Sequence, residues 1–412
     1  MKSLLLLLLL FSPLAACPKT DLDCDQIPPL FSLQPSDKFE FGRLWHHIKA
    51  LEEKDLLYGM IQSRKAEIKA IKAHWKEKVP TFEDPLFQEE LGQLSQSGSL
   101  TPSDQGCGAA YFLKDSEGAP RYVIKPFDED ILCLNNRKHF ASPYNNRAFR
   151  VRVDIPLYRT AQAEALSYAI AKLLKLDRLI PATHLAIFTH PSFYDFGEKL
   201  KPADQANLYA LVGAPDREKL CSVQKYVPDI EDLYHLVELW LEEGLSEQEI
   251  LEQIPMDDFE DLVLLIWLLY DTDAHAGNLY VQKMKQGPYR LIKIDNGLTF
   301  PEKNSYLQNA LYFFPHANRP LSARALHWLR NIPIEKITEL IRFYELDKTL
   351  DAFYERVEIL QKLADKSSYT MREIHVRMRA LALPNGTEVA LSPLSTARIQ
   401  GLLDRSIQTQ ED

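Results

Sequence analysis

The chain reads as an α+β protein of two lobes, a small β-rich lobe followed by a larger helical one, with a helical extension ahead of both. Three observations carry this reading. Two short strand-like segments, Ala110–Lys114 and Arg121–Lys125, flank the turn-forming Asp115-Ser-Glu-Gly118, as in a β-hairpin. From Ile230 to Tyr270, and again from Leu321 to Leu383, apolar residues recur at helical spacing. With 412 residues, 46% of them hydrophobic, the chain is long enough for two lobes and extensions at about 100–200 residues per domain. No internal repeat is visible.

The elements follow in order. Residues 1–17 read as an export signal, with Lys2, an apolar stretch from Leu4 to Phe11 and the cleavage zone Leu14-Ala-Ala-Cys17. That tetrapeptide has the form of a bacterial lipobox, in which Cys17 becomes the lipidated first residue; the alternative is an ordinary small-residue cleavage site. The expected location is therefore outside the bacterial cytoplasm, as a membrane-anchored lipoprotein or a secreted host-directed effector. Residues 18–100 form a linker and helical extension, Pro-rich to about residue 36 and helical from Lys38 to Lys78. Within it, Arg64 to Lys78 carries six Lys/Arg against two Glu. Such a run is either a basic amphipathic face for anionic lipid or a solvated face packed on a neighbouring lobe. Ser95–Asp104 reads as a linker. The β-rich lobe is assigned to 101–227, with the hairpin, an amphipathic helix from Thr160 to Lys175, and strands at His184–Thr189 and Lys219–Val227. The helical lobe takes 228–384, and 385–412 is a tail of little signal. Leu262–Tyr270 is apolar but far short of the ~20 residues that span a bilayer.

Composition narrows the function classes. A net charge of −10 argues against a dedicated nucleic-acid binder. The five cysteines, Cys17, Cys24, Cys107, Cys133 and Cys221, show neither C-x-x-C nor Cys/His metal spacing, so structural or incidental thiols are expected.

Two stretches carry the chemistry. Asp273 and Asn278 stand in the D-x-x-x-x-N spacing of a phosphoryl-transfer loop, and Asp295 opens a D-x-G beyond a brief polar hairpin. Transfer of a phosphoryl group needs a carboxylate to orient and deprotonate the attacking hydroxyl, which is the role for Asp273. It also needs oxygen ligands for a divalent cation, the role for Asn278 and Asp295. Lys125 in the second hairpin strand is placed to meet α- and β-phosphates, with Glu164 on the following helix as its acidic partner. Gln105-Gly-Cys-Gly108 supplies Gly106 and Gly108 as a phosphate-covering turn, although a lone G-x-G is more often a simple turn. Cys221-Ser-Val-Gln-Lys-Tyr-Val227 would form a hinge whose backbone, through Gln224, Tyr226 and Val227, meets an adenine; Val223 and Tyr226 would line the purine slot, unless the segment is a plain buried strand. His275 contacts phosphate, braces the loop, or has no catalytic part. Asp271 is read as ordering the loop.

These segments resemble a known family. Ala110-Tyr-Phe-Leu-Lys-Asp-Ser-Glu-Gly118, Val123-Ile-Lys-Pro-Phe-Asp-Glu-Asp130 and Leu134-Asn-Asn136 resemble the ATP-binding lobe of type II phosphatidylinositol 4-kinases. Asp295-Asn-Gly-Leu-Thr-Phe-Pro301 and Tyr312-Phe-Phe-Pro-His-Ala-Asn-Arg-Pro-Leu-Ser322 are similar to later segments of the same kinases, and Asp273-Ala-His-Ala-Gly-Asn278 looks more like the loop of the plant-type enzymes. Over roughly Gly106 to Arg330 the chain is identified as a member of the PI3/4-kinase-like superfamily, closest to the type II group. The resemblance implies a two-lobed protein-kinase-like fold, ATP with Mg²⁺ or Mn²⁺, Lys125 on the phosphates, Asp273 as base, and Asn278 and Asp295 as metal ligands. The expected acceptor is an inositol-lipid hydroxyl; alternatives are a protein Ser/Thr hydroxyl at the same site, or a membrane-tethered nucleotide-binding pseudokinase. Two departures stand out. Ala274 occupies the place where the family has Arg, and the Cys-rich palmitoylated insertion has no counterpart, which leaves Cys17 or the basic 64–78 helix for membrane attachment.

Overall fold

The computed structural model describes residues 54–79, 85–106, 108–130, 133, 135–137, 154–199, 201–285, 287–304, 307–365 and 368–381. The export segment with Cys17, the helix expected over residues 38–53, Cys24, Cys107 and the tail lie outside these. The chain mixes helix and sheet, an α+β architecture. Its helices are α1 (Lys54–Lys78), α2 (Pro85–Ser97), α3 (Thr160–Leu173), α4 (Pro202–Val212), α5 (Leu233–Glu242), α6 (Glu247–Gln253), α7 (Met256–Leu269), α8 (Ala323–Arg330), α9 (Ile334–Phe343), α10 (Leu350–Ala364) and α11 (Met371–Leu381). Its strands are β1 (Ser99–Pro102), β2 (Tyr111–Lys114), β3 (Pro120–Pro126), β4 (Thr183–Thr189), β5 (Glu218–Lys225), β6 (Ile230–Asp232), β7 (Leu279–Lys283) and β8 (Tyr289–Lys293). Among the described residues no helix is long and apolar enough to cross a membrane.

The chain divides into two units, one of residues 1–149 and 184–224, the other of 150–183 and 225–412. The first is organised on a five-stranded sheet of order β1-β2-β3-β5-β4. Its β2–β3 hairpin is antiparallel, and Gly118 closes the turn with φ 84°, a value that favours glycine. Asp115 Oδ1 accepts the Glu117 and Ala119 N–H groups, so the turn residues make the geometry they were expected to make. Tyr111, Leu113, Tyr122 and Ile124 point to one face, where they meet Phe87 and Leu91 of α2, Phe188 and Val223.

One expectation is corrected here. Ser95–Asp104 is not a linker: α2 runs to Ser97, and β1 pairs with β2 from Ser99↔Lys114 to Pro102↔Tyr111. Leu100 is buried, so partners distant in sequence override a linker-like composition. Part of the basic 64–78 run packs against its own unit. Lys65 Nζ lies 3.2 Å from Asp195, Lys76 Nζ 2.8 Å from Glu218, and Lys72 meets Asp216. These three of its six cations are met within the unit, and Trp75 among them is wholly buried.

The second unit holds α3, a three-stranded sheet of order β6-β7-β8, and α5 to α11. At its centre, α7 is buried at every position from Phe259 to Leu269: Leu262–Leu269 is apolar all round, and the buried Glu260 and Asp261 are met by Ser322, Arg324 and Arg178. The helix α3 was expected within the β-rich stretch 101–227. Its contacts place it in the second unit: it packs on α9, and Ser167 Oγ meets Thr299 Oγ1 at 2.9 Å. Of the five cysteines, Cys133 and Cys221 fall among the described residues, where both are buried free thiols.

Candidate active site

The loops of the second unit that hold Asp273, Asn278 and Asp295 grow from the end of α7. That helix stops where Tyr270 adopts a left-handed conformation (φ 52°), with its N–H turned back to the Ile266 and Trp267 carbonyls. The following loop, Asp271 to Asn278, is held from two sides. Thr272 N–H donates to Leu298 O at 3.0 Å and Phe300 N–H to Leu269 O at 2.9 Å. On the other side Gln308 N–H donates to Asp271 O at 3.0 Å and Ala310 N–H to Ala274 O at 2.9 Å.

Asp271 is fully buried. Its Oδ1 accepts the Asp273 N–H at 2.7 Å, and its Oδ2 lies 2.5 Å from Lys293 Nζ. Burial pushes the Asp271 carboxyl up, the Lys293 ammonium pulls it down, and the nearby Asp295 adds to the rise. Asp271 therefore orders the loop. Asp273, with 19% of its side chain exposed, is the carboxylate an incoming group can reach.

Asn278 ties this loop to the next. Its Nδ2 donates to Asp273 O at 2.9 Å, and its main-chain O accepts the Ile294 N–H at 3.1 Å. The β7–β8 register sets Leu279 opposite Lys293, so the Asp295-Asn-Gly297 turn lies beside Asn278. With Nδ2 engaged, Oδ1 on the other arm of the amide is left as an acceptor. Asp295 is exposed and left-handed at φ 59°, a conformation costing a non-glycine residue about 1–2 kcal/mol. Behind it, Lys293 Nζ donates to Ile294 O, Asp295 O and Asn296 Oδ1 at 3.2, 3.1 and 3.0 Å. Gly297 packs against α3: a Cβ there would sit 3.3 Å from Thr160 Cβ and 3.6 Å from Glu164 Oε1. The glycine is what lets α3, and with it the buried Glu164, approach the turn.

His275 braces the loop. Its Nδ1 accepts the Gly277 N–H at 3.0 Å, which puts the neutral ring's proton on Nε2, 3.8 Å from Asp273 Oδ2. Ala274 is fully buried and bridges Asn309, so this position is part of the packing.

Among the described residues no group of three or more His, Cys, Asp and Glu side chains is arranged to hold a metal ion. Asn278 and Asp295 instead offer one amide oxygen and one carboxylate. Hard cations such as Mg²⁺ and Mn²⁺ accept such a set when phosphate oxygens and water complete the shell. The residues present fit the ion.

The remaining expected site residues divide between the units. In the first, Lys125 lies on β3 on the face opposite the buried Tyr122 and Ile124. Gly106 and Gly108 lie in the loop joining β1 to β2; Gly106 has φ 77°, and a Cβ at Gly108 would meet Asp130 Oδ1 at 2.8 Å. Gln224 is buried in β5, and Val223 belongs to the core, as a plain buried strand residue does. In the second unit are Glu164 and the half-buried Tyr226 and Val227, which follow β5. Two residues were missed. Lys293 is 1% exposed, and Asn309 is buried with its Oδ1 accepting the Leu311 N–H at 3.0 Å. A lysine inside Leu291-Ile-Lys-Ile-Asp295 was the available signal for the first; nothing in the sequence marks Asn309.

No protein-family model matches the chain. It is 25% identical over 270 residues to phosphatidylinositol 4-kinase gamma 3 of Arabidopsis thaliana, covering 65% of this chain and 44% of that protein. To gamma 6 of the same plant it is 26% identical over 250 residues, 58% of this chain and 36% of the relative. To gamma 4 it is 22% identical over 296 residues, 69% and 47%. The chain thus spans less than half the length of each of these relatives. These are plant proteins, the type that the Asp273–Asn278 loop resembles; the closer likeness to the type II group and a bacterial origin rest on the sequence reading alone. The chain is a distant relative of the plant phosphatidylinositol 4-kinase gamma proteins.

Proposed function

We propose that the chain is an ATP-dependent phosphotransferase of the phosphatidylinositol 3/4-kinase type, acting on a ring hydroxyl of an inositol lipid, with a two-lobed kinase-like fold. In this reading the lipid hydroxyl oxygen attacks the γ-phosphorus, the bond to the β–γ bridging oxygen breaks, and the hydroxyl proton passes to Asp273. His275 steadies that carboxylate. Asn278 and Asp295 would hold Mg²⁺ or Mn²⁺, which would neutralise charge on the phosphates. Within the first unit, Lys125 and the Gly106–Gly108 turn are the groups suited to phosphate oxygens, and Gln224 offers a backbone group to an adenine. Lipidated Cys17 would bring the chain to its substrate's membrane.

The observation that supports this most is the hydrogen-bonded closeness of three groups, Asp273, Asn278 and the Asp295 turn, in a chain similar to plant phosphatidylinositol 4-kinase gamma proteins. Purified protein with radiolabelled ATP, phosphatidylinositol vesicles and an added protein substrate tests it. Label is expected in the lipid. Label in protein alone would replace the lipid reading with a protein kinase, and a thermal upshift with ATP and Mg²⁺ but no transfer would make the chain a nucleotide-binding pseudokinase.

A further inference from the structure

We propose that Lys293 is a positioning residue that locks the Asp295 turn to the Asp273 loop; the inference deepens, and rests on, the phosphotransferase reading. Lys293 closes β8 with its side chain 1% exposed, next to Leu291 and Ile292, which are buried apolar residues of the same strand. Packing alone asks for another apolar side chain there. An ammonium taken out of water is tolerated only where oxygens replace its hydration. Four do so, and they come from both loops. Asp271 Oδ2, at 2.5 Å, belongs to the loop of Asp273. Ile294 O, Asp295 O and Asn296 Oδ1, at 3.0 to 3.2 Å, belong to the metal-binding turn.

The linkage is short. The other oxygen of Asp271 holds the Asp273 N–H, so the ammonium is one carboxylate removed from the backbone of the base. On the other side it bonds directly to the peptide of Asp295, whose left-handed conformation needs outside support. The oxygens that satisfy the remaining ammonium protons come from the Asp295 turn, so the same buried pair ties that turn to the Asp273 loop. Lys293 also neutralises Asp271, so the negative charge left in the site is that of Asp273 and Asp295, the two carboxylates the chemistry uses.

The test uses the full chain with two variants, Lys293→Met and Asp271→Asn/Lys293→Met. The double variant removes both charges and so leaves none buried without a partner. Phosphotransfer is measured against Mg²⁺ concentration at saturating ATP, with KM for lipid, melting temperature and amide hydrogen exchange followed in the same proteins. The half-saturating Mg²⁺ is expected to rise about tenfold or more in the folded variants, as when outer partners of metal ligands are lost, with KM for lipid within about twofold. Exchange at the Asp273 and Ile294 amides is expected to quicken together. An unchanged Mg²⁺ dependence in a folded variant, with only the melting temperature lowered, overturns the proposal and leaves the kinase reading standing. Should the wild-type chain transfer no phosphate, the kinase reading fails instead, and exchange alone decides: unchanged protection of both amides in the double variant overturns the coupling, and joint loss upholds it.

Discussion

Lys219 in the first unit and Lys293 in the second are both almost wholly buried, and they differ in what surrounds them. Lys219 Nζ faces two carboxylates, Glu129 at 2.5 Å and Asp128 at 3.3 Å, and donates to Tyr194 O at 2.7 Å. Glu129 also accepts the Tyr111 hydroxyl and the Tyr194 N–H. One ammonium between two carboxylates leaves a negative charge in excess. Burial would lower Lys219, but Asp128 and Glu129 outweigh it and leave the lysine raised. Burial also holds Glu129 up at about 6, because Lys219 cannot satisfy both acids. Lys293 has one carboxylate and three neutral oxygens, and its partners sit on loops that carry the accessible Asp273 and the exposed Asp295. The first cluster closes on itself between strands; the second reaches solvent through its neighbours. Burial of a charge does not by itself mark function, whereas the segments its partners belong to do.

The largest expected effect lies beside the second cluster. Asp273→Asn should lower phosphotransfer about 10²–10⁴-fold while the unfolding midpoint holds, the signature of a lost base. A parallel fall in stability would move Asp273 into the same class as Lys219 and break the contrast. Lys219→Met should do the reverse, costing about 3–5 kcal/mol in urea unfolding, because two carboxylates stay behind in the interior. A cost below about 1 kcal/mol would mean the first cluster is not the closed network described. Ala274→Arg should destabilise by about 1–3 kcal/mol with no gain in rate, since that position is fully buried; a faster enzyme would show that room exists. The smallest effect concerns pH. Glu129 ionises at about 6 in the folded chain against an ordinary 4.5, so the folded chain binds this proton first as pH falls. Its contribution is full below 4.5 and is lost as pH rises through 6, about 1–2 kcal/mol across that window. Glu129→Gln should flatten melting temperature against pH there, and an unaltered slope would assign the window to other groups.

Much of the candidate site was legible because its signals are local. D-x-x-x-x-N and D-x-G place their donors by spacing, and the structure brings Asp273, Asn278 and Asp295 beside one another through bonds between neighbouring strands and turns. What was not legible depends on distant partners. Lys65 meets Asp195 across 130 residues, and nothing local tells a lysine on a basic helix that a carboxylate awaits it. β1 looks like a linker until β2 lies alongside.

The sequence by itself determined the β2–β3 hairpin, the apolar α7 and the order of the chemistry-bearing loops, because turn residues and periodicity act over a few positions. Tertiary structure alone decided which unit holds α3, that Ala274 is packed rather than open, and that Lys293 is buried between two loops. Those outcomes depend on the desolvation of a side chain, and that is set by whatever else packs against it.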